Sequence, residues 1–182
     1  KANMEAVKIA QSGKIGEICL FSSVFAQEVA EGKVRLEDSA IGGGTIYDMG
    51  IYCLNAVRYL FQAEPTEVFA FSANNGEKRF EKIDEMTSVI LRFPEERLAN
   101  FTSSFGAATV STLQIVGTKG DLRMDSAYSY QGELEQQITI NNQKQEQSFT
   151  AGDQFAAEIA YFSECLLKGS DPEPSGVEGL AD

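Results

Sequence analysis

The sequence predicts an α+β fold, a mainly antiparallel open sheet with helices packed on one face, and three observations predict it. Its second half alternates as successive short strands broken by turn residues, helical patterns stand at both ends, and one helix between the first two strands allows a parallel crossover. The 182 residues are 43% hydrophobic and 23% charged, a composition for one globular domain that buries about 70% of the surface its unfolded chain exposes.

Asn3 is suited to cap a helix running to Ser12, with Met4, Val7 and Ala10 at helical spacing and Gly13 as its stop. Ile15 to Gln27, carrying Ile18, Leu20, Phe21, Val24 and Phe25, reads as a long strand, and the charged stretch from Glu28 to Asp38 as a loop. Gly42-Gly43-Gly44 leads into a helix over Thr45 to Phe61, and Thr66 to Asn74 reads as a strand ended by Asn74-Asn75-Gly76. Glu85 to Phe93 places Thr87, Val89, Leu91 and Phe93 on one face; Pro94-Glu95-Glu96 connects it tightly to Arg97 to Phe105, which makes a hairpin. Leu113–Val116, Asp121–Met124 and Leu134–Asn141 follow as strands, separated by Gly117-Thr118-Lys119-Gly120 and ended by Asn141-Asn142. A last helix over Asp153 to Lys168, capped by Asp153 and stopped by Gly169, spaces Phe155, Ile159, Phe162 and Leu166 as a buried stripe. The second face of several strands carries Ser, Thr, Asn, Gln and some Phe, tolerant of water yet flat enough to meet another sheet.

Composition excludes several kinds of chemistry. Lys and Arg total 15 against 27 Asp and Glu, a net charge of −12, which opposes binding to a phosphate backbone. With no histidine, Ser-His-Asp and Cys-His catalysis and most zinc sites fall away, and no carboxylate spacing suggests another metal. Cys19, Cys53 and Cys165 form no CxxC pair and read as buried free thiols of a reducing, cytoplasmic compartment. No apolar run approaches the ~20 residues of a membrane span. The start at Lys1 rather than Met reads as a fragment whose neighbours are missing. The triple glycine lacks the Lys-Ser/Thr continuation of a P-loop.

The helix after the glycines carries the chemistry. At about 100° per residue, one broad face gathers Ile46, Met49, Cys53, Val57 and Leu60. Asp48, Tyr52, Asn55 and Tyr59 fall on a narrow stripe of the other side that holds no Lys or Glu. A carboxylate, two phenols and an amide in a row suit a ligand wall, although such stripes also occur on solvated faces. Gly50, a poor helix former, leaves room for a close neighbour.

Gly42-Gly43-Gly44-Thr45-Ile46-Tyr47-Asp48-Met49-Gly50-Ile51-Tyr52-Cys53-Leu54-Asn55, followed by Arg58-Tyr59-Leu60, resembles the signature of the glucose–fructose oxidoreductase/inositol dehydrogenase (Gfo/Idh/MocA) family. Ser12-Gly13-Lys14-Ile15-Gly16-Glu17, Pro65-Thr66-Glu67-Val68 and Gly117-Thr118-Lys119-Gly120 are similar to it as well. The resemblance runs over nearly the whole chain and covers only the family's C-terminal domain. It implies that residues 1–182 form a substrate-binding and oligomerisation domain. NAD or NADP would be bound mainly by an N-terminal Rossmann domain, with its catalytic lysine, absent from this chain. Many members carry Asp-x-x-x-His on this helix; Asp48-x-x-x-Tyr52 departs from that and is similar to the tyrosine-type branch.

The resemblance implies hydride transfer to or from a sugar or polyol, with Tyr52 as proton donor or acceptor. A phenol with a pKa near 10 needs a nearby cation to act as a base at neutral pH, and the family's lysine would supply it. Asp48 would anchor that lysine or a substrate hydroxyl. Asn55, Tyr59 and Arg58 are candidates for substrate contacts, Arg58 having an ion pair as its alternative. Gly43 and Gly44 would line the cofactor cleft. A homodimer or homotetramer through the open sheet face is the expected assembly, with no nucleic-acid or membrane partner. The alternatives are a non-enzymatic ligand sensor or scaffold on the same fold, and an NAD-using glycosidase.

Overall fold

The computed structural model describes residues 2–32, 38–150, 152–173 and 175–182. The loop expected from Glu28 to Asp38 therefore lies partly outside the described residues. Eight strands form one sheet in the order β2-β3-β4-β1-β5-β6-β7-β8. They are β1 Ile18–Ala26, β2 Glu67–Ala73, β3 Met86–Arg92, β4 Leu98–Ser104, β5 Val110–Gly117, β6 Gly120–Asp125, β7 Glu133–Ile140 and β8 Gln143–Thr150. Every neighbouring pair is antiparallel except β1 with β4. The crossover after β1 thus lands three places away at β2, and β3 and β4 fill the gap by hairpins.

Helix α1, Ala2–Gln11, buries Ala2, Ala6, Ile9 and Ala10 and ends where Gly13 takes φ 73°. Asn3 sits inside its first turn rather than capping it, and its amide donates to the Ala127 carbonyl at 3.3 Å. The second helix, α2 Ile51–Phe61, lies beside α1 on the same face of the sheet. Between the helices and the strands, Phe21, Cys53, Val57, Ile115 and Leu122 are fully enclosed. The face of β3 expected to be buried is so, with Thr87, Val89 and Leu91 inside, followed by Phe93.

Two short motifs far apart in sequence meet at the β5–β6 turn. The Thr118 amide donates to the Glu17 carbonyl and the Lys119 amide to the Ile15 carbonyl, both at 2.9 Å, while the Glu17 amide donates to Thr118 Oγ1 at 3.1 Å. A Cβ on Gly117 would collide with the Ile15 carbonyl oxygen, and one on Gly120 with the Thr139 carbonyl oxygen. These glycines are required by close backbone approach.

Four expectations need correction. Strand β8 was not anticipated: QKQEQSFT is almost wholly exposed, and only its last two residues, Phe149 and Thr150, favour strands. Its signal lies in the preceding Asn141-Asn142, both at positive φ (51° and 62°), the geometry of a two-residue hairpin turn. Helix α3, Gln154–Lys168, has the expected caps, with Asp153 accepting from the Ala156 amide and Gly169 at φ 66°. Its stripe is not buried, however: Phe155, Ile159, Phe162 and Leu166 are exposed because no described element packs closely against α3. A short helix α4, Gly176–Ala181, follows Ser175, whose hydroxyl accepts from the Glu178 amide; Ser175-x-x-Glu178 is its capping-box signal. Cys53 and Cys165 are buried free thiols as expected, whereas the thiol of Cys19 is exposed.

Candidate active site

The helix expected from Thr45 begins instead with a π-helical turn, Ile46–Gly50, closed where the Ile51 amide donates to the Ile46 carbonyl. Two contacts favour the wider turn. Buried Thr45 accepts a hydrogen bond from Ser103 of β4 at 2.9 Å, and a Cβ at Gly50 would stand 3.3 Å from Phe101 Cε2. Gly50 therefore lets the helix rest on β4. Such turns insert an i→i+5 bond and shift the phase of side chains on either side.

The shift separates the expected stripe. Tyr52, Asn55 and Tyr59 line one wall of a cavity of about 490 Å³, with Leu113, Met124 and Tyr128 opposite. Asp48 is half-buried in the π turn, outside that lining. Tyr52 is 53% exposed, and its hydroxyl has no hydrogen-bond partner among the described residues. Gly43 and Gly44 are buried at the head of the helix; Gly44 holds φ 105° with no atom within 4 Å of where a Cβ would stand.

Arg58 departs from a substrate contact. It is buried, its Nε and Nη2 donate to Glu64 at 2.8 and 2.6 Å, and Nη1 is paired with Asp182. Glu178 stands 3.5 Å from the same Nη1. The guanidinium fork is committed to carboxylates, one of which, Asp182, also accepts from the Asn55 amide at 2.9 Å. Hydrogen bonding from Arg58 holds the Glu64 carboxyl below its ordinary range. Stability from this pair is present above the unfolded carboxylate pKa of about 4.3 and is lost as pH falls through the lower folded value. Glu64→Gln is expected to flatten the loss of Tm between about pH 5 and pH 3. The effect is small, since Glu64 is largely exposed and screened. A wild-type slope would show that the pair contributes nothing.

Two of the three cavity tyrosines are disfavoured as anions. Burial, then Glu173, Glu178 and Asp182, push the Tyr59 hydroxyl up. Burial, then the neighbouring Cys53, push Tyr128 up strongly. Tyr128, which the sequence reading missed, reaches the site from the turn after β6, its hydroxyl 2.7 Å from Ser23 Oγ. An aromatic residue in a turn carries no periodic signal, so only the packing reveals it.

Comparison with known proteins agrees with this geometry. Residues 4–123 match the family model of the GFO/IDH/MocA C-terminal domain. The chain is 31% identical over 181 residues to an uncharacterized oxidoreductase, ORF334, of Rhizobium meliloti, covering 96% of this chain and 53% of that protein. It is 32% identical over 148 residues to the D-xylose 1-dehydrogenase (NADP(+)) of Haloarcula marismortui, covering 81% of this chain and 41% of that one. The aldose-aldose oxidoreductase from Caulobacter crescentus, solved in complex with glycerol, superposes with a TM-score of 0.89 at 30% identity. That alignment covers 99% of this chain and 54% of the solved one. The chain thus spans about half the length of the relatives it matches. With its sheet, its glycine-led helix and its paired turn motifs all accounted for, the chain belongs to the GFO/IDH/MocA C-terminal domain family.

Proposed function

We propose that this chain is the substrate-binding C-terminal domain, residues 1–182, of an NAD(P)-dependent oxidoreductase that acts on a sugar or related polyol, with Tyr52 moving the proton. The observation that carries the reading is the cavity lined by Tyr52, Asn55 and Tyr59, in which the Tyr52 hydroxyl has no hydrogen-bond partner among the described residues. Relatives named as a xylose dehydrogenase and an aldose-aldose oxidoreductase support the substrate class.

When bound, the nicotinamide supplies or accepts the hydride. The described residues fit its reactive end rather than its phosphates: no Lys or Arg lines the cavity, and no atom lies within 4 Å of where a Cβ on Gly44 would stand. Reduction of a carbonyl leaves charge on oxygen, which a phenol within hydrogen-bond reach can neutralise by donating its proton. In the reverse direction Tyr52 must take that proton, which needs a cation beside it. Arg58 is already paired, so the lysine implied by the family resemblance is assigned that part. Asn55 offers an amide and Tyr59 a neutral phenol to substrate hydroxyls, while Asp48, outside the cavity lining, is left the anchoring part that the family resemblance implies. Replacing Tyr52 in the full-length protein tests the reading.

A homodimer or homotetramer through the open sheet face fits the same domain. Phe69, Phe71, Ile90 and Leu98 are exposed on that face, with Phe69 and Phe71 edge-to-face at 4.8 Å. Introducing Phe69→Glu with Ile90→Glu is expected to yield a monomer by light scattering; an unchanged mass would remove this interface. The free thiols suit a cytoplasmic setting; no helix among the described residues is long and apolar enough to cross a membrane.

A further inference from the structure

We propose that Tyr128 is a positioning residue for Tyr52: anchored through its hydroxyl on Ser23, it forms with Phe25 the aromatic wall that fixes the direction of the Tyr52 phenol. The inference rests on Tyr52 being the proton-transfer group. Tyr52 projects from α2 with more than half of its surface exposed, so the helix by itself leaves its χ1 several staggered wells. What narrows them is contact with two rings. Phe25 of β1 meets Tyr52 edge-on at 5.7 Å, and Tyr128 lies 6.2 Å from it; Phe25 and Tyr128 pack on each other at 5.0 Å.

Tyr128 is itself held from three sides. Its amide donates to Ser111 Oγ at 2.8 Å, and the preceding Ala127 amide donates to the Ser111 carbonyl at 2.9 Å. Its hydroxyl meets Ser23 Oγ, and proton counting assigns the direction of that bond. Ser23 has one hydroxyl proton, and the Thr112 carbonyl 2.8 Å away is its better acceptor, Cys53 Sγ standing off at 3.4 Å. Tyr128 is therefore the donor to Ser23. Its proton is committed to the core side, while its ring is presented to the cavity. This division removes Tyr128 as a proton donor to the cavity and makes it the fixed surface against which Tyr52 is aimed. Misplacing a reacting group by about 1 Å can cost about 10²-fold in rate, so such a wall affects kcat before binding.

The test uses the full-length protein and four variants. Tyr128→Ala removes the ring and is expected to lower kcat about 10²-fold. Tyr128→Phe keeps the ring and loses the anchor, for a loss of about threefold. Ser23→Ala strands a buried phenol proton and is expected to cost about tenfold in kcat, yet to add nothing in the Tyr128→Phe background, where no proton is left to satisfy. An independent readout, without cofactor, is the fluorine resonance of 3-fluorotyrosine at position 52, assigned by its loss in Tyr52→Phe. Tyr128→Ala should move it toward the solvent value. If that resonance stays in place, or if Ser23→Ala lowers kcat equally in both backgrounds, the positioning role is overturned. Should Tyr52→Phe keep full turnover while the resonance still moves, the catalytic reading of Tyr52 fails and the wall remains as packing only, which overturns the inference as well but identifies which half failed.

Discussion

Tyr52→Phe in the full-length protein is expected to lower kcat by about 10²–10⁴-fold with little change in KM. The substitution removes one oxygen and keeps the ring, so the contacts with Phe25 and Tyr128 persist and the cavity keeps its shape. What disappears is the hydroxyl that has no other partner among the described residues and is therefore free to meet a substrate oxygen. Uniform binding would show as a rise in KM at constant kcat; a proton donor used only as charge develops shows as a fall in kcat and kcat/KM together. The two other cavity phenols cannot take over. By the assignment above, the Tyr128 hydroxyl donates its hydrogen bond to Ser23 Oγ, 2.7 Å away, and burial, then the surrounding carboxylates, oppose ionisation of Tyr59. Steady-state kinetics against a panel of aldoses and polyols checks this. Turnover within about threefold of wild type would remove Tyr52 from the chemistry and leave a ligand sensor or scaffold on this fold as the better reading.

Gly117→Ala is expected to destabilise the domain by about 3 kcal/mol, from forced displacement of packed backbone. At this chain length that corresponds to a fall in Tm of about 6–12 °C, read by calorimetry. The added methyl would meet the Ile15 carbonyl oxygen, which is also the acceptor for the Lys119 amide. Relief therefore requires parting the two turn motifs and breaking hydrogen bonds that join the entry of β1 to the β5–β6 turn. Gly179→Ala provides the contrast. Gly179 lies in α4 with nothing within 4 Å of a new Cβ, so the same change there is expected to be neutral or to stabilise by up to about 1 kcal/mol. Equal effects at the two positions would show that the contact with Ile15 does not decide the outcome.

Much of the scaffold was legible because it follows from short-range periodicity. Met49, Cys53, Val57 and Leu60 are buried as their spacing requires, and the β3–β4 hairpin pairs in the register that its alternation implies. Where pattern and structure part, a long-range contact wins. The exposed stripe of α3 obeys the helical period and still finds no sheet beneath it. The polar run of β8 violates strand propensity and pairs anyway, because the Asn141-Asn142 turn folds it back along β7. Arg58 sits at the edge of the candidate stripe, but carboxylates from a distant segment claim it.

The sequence by itself determined the family and the α+β class, and it nominated Tyr52 on the helix after the glycines as the candidate proton-transfer group; these follow from local order and residue type. Only the tertiary structure decided which of the candidate residues share a cavity. The Thr45–Ser103 bond and the seat of Gly50 on Phe101 favour a π turn that takes Asp48 out of line with Tyr52. Likewise, Ser23 and Tyr128, separated by 105 positions, meet through one hydrogen bond. Periodicity cannot encode either result, because each depends on how strands distant in the chain present their side chains to one helix.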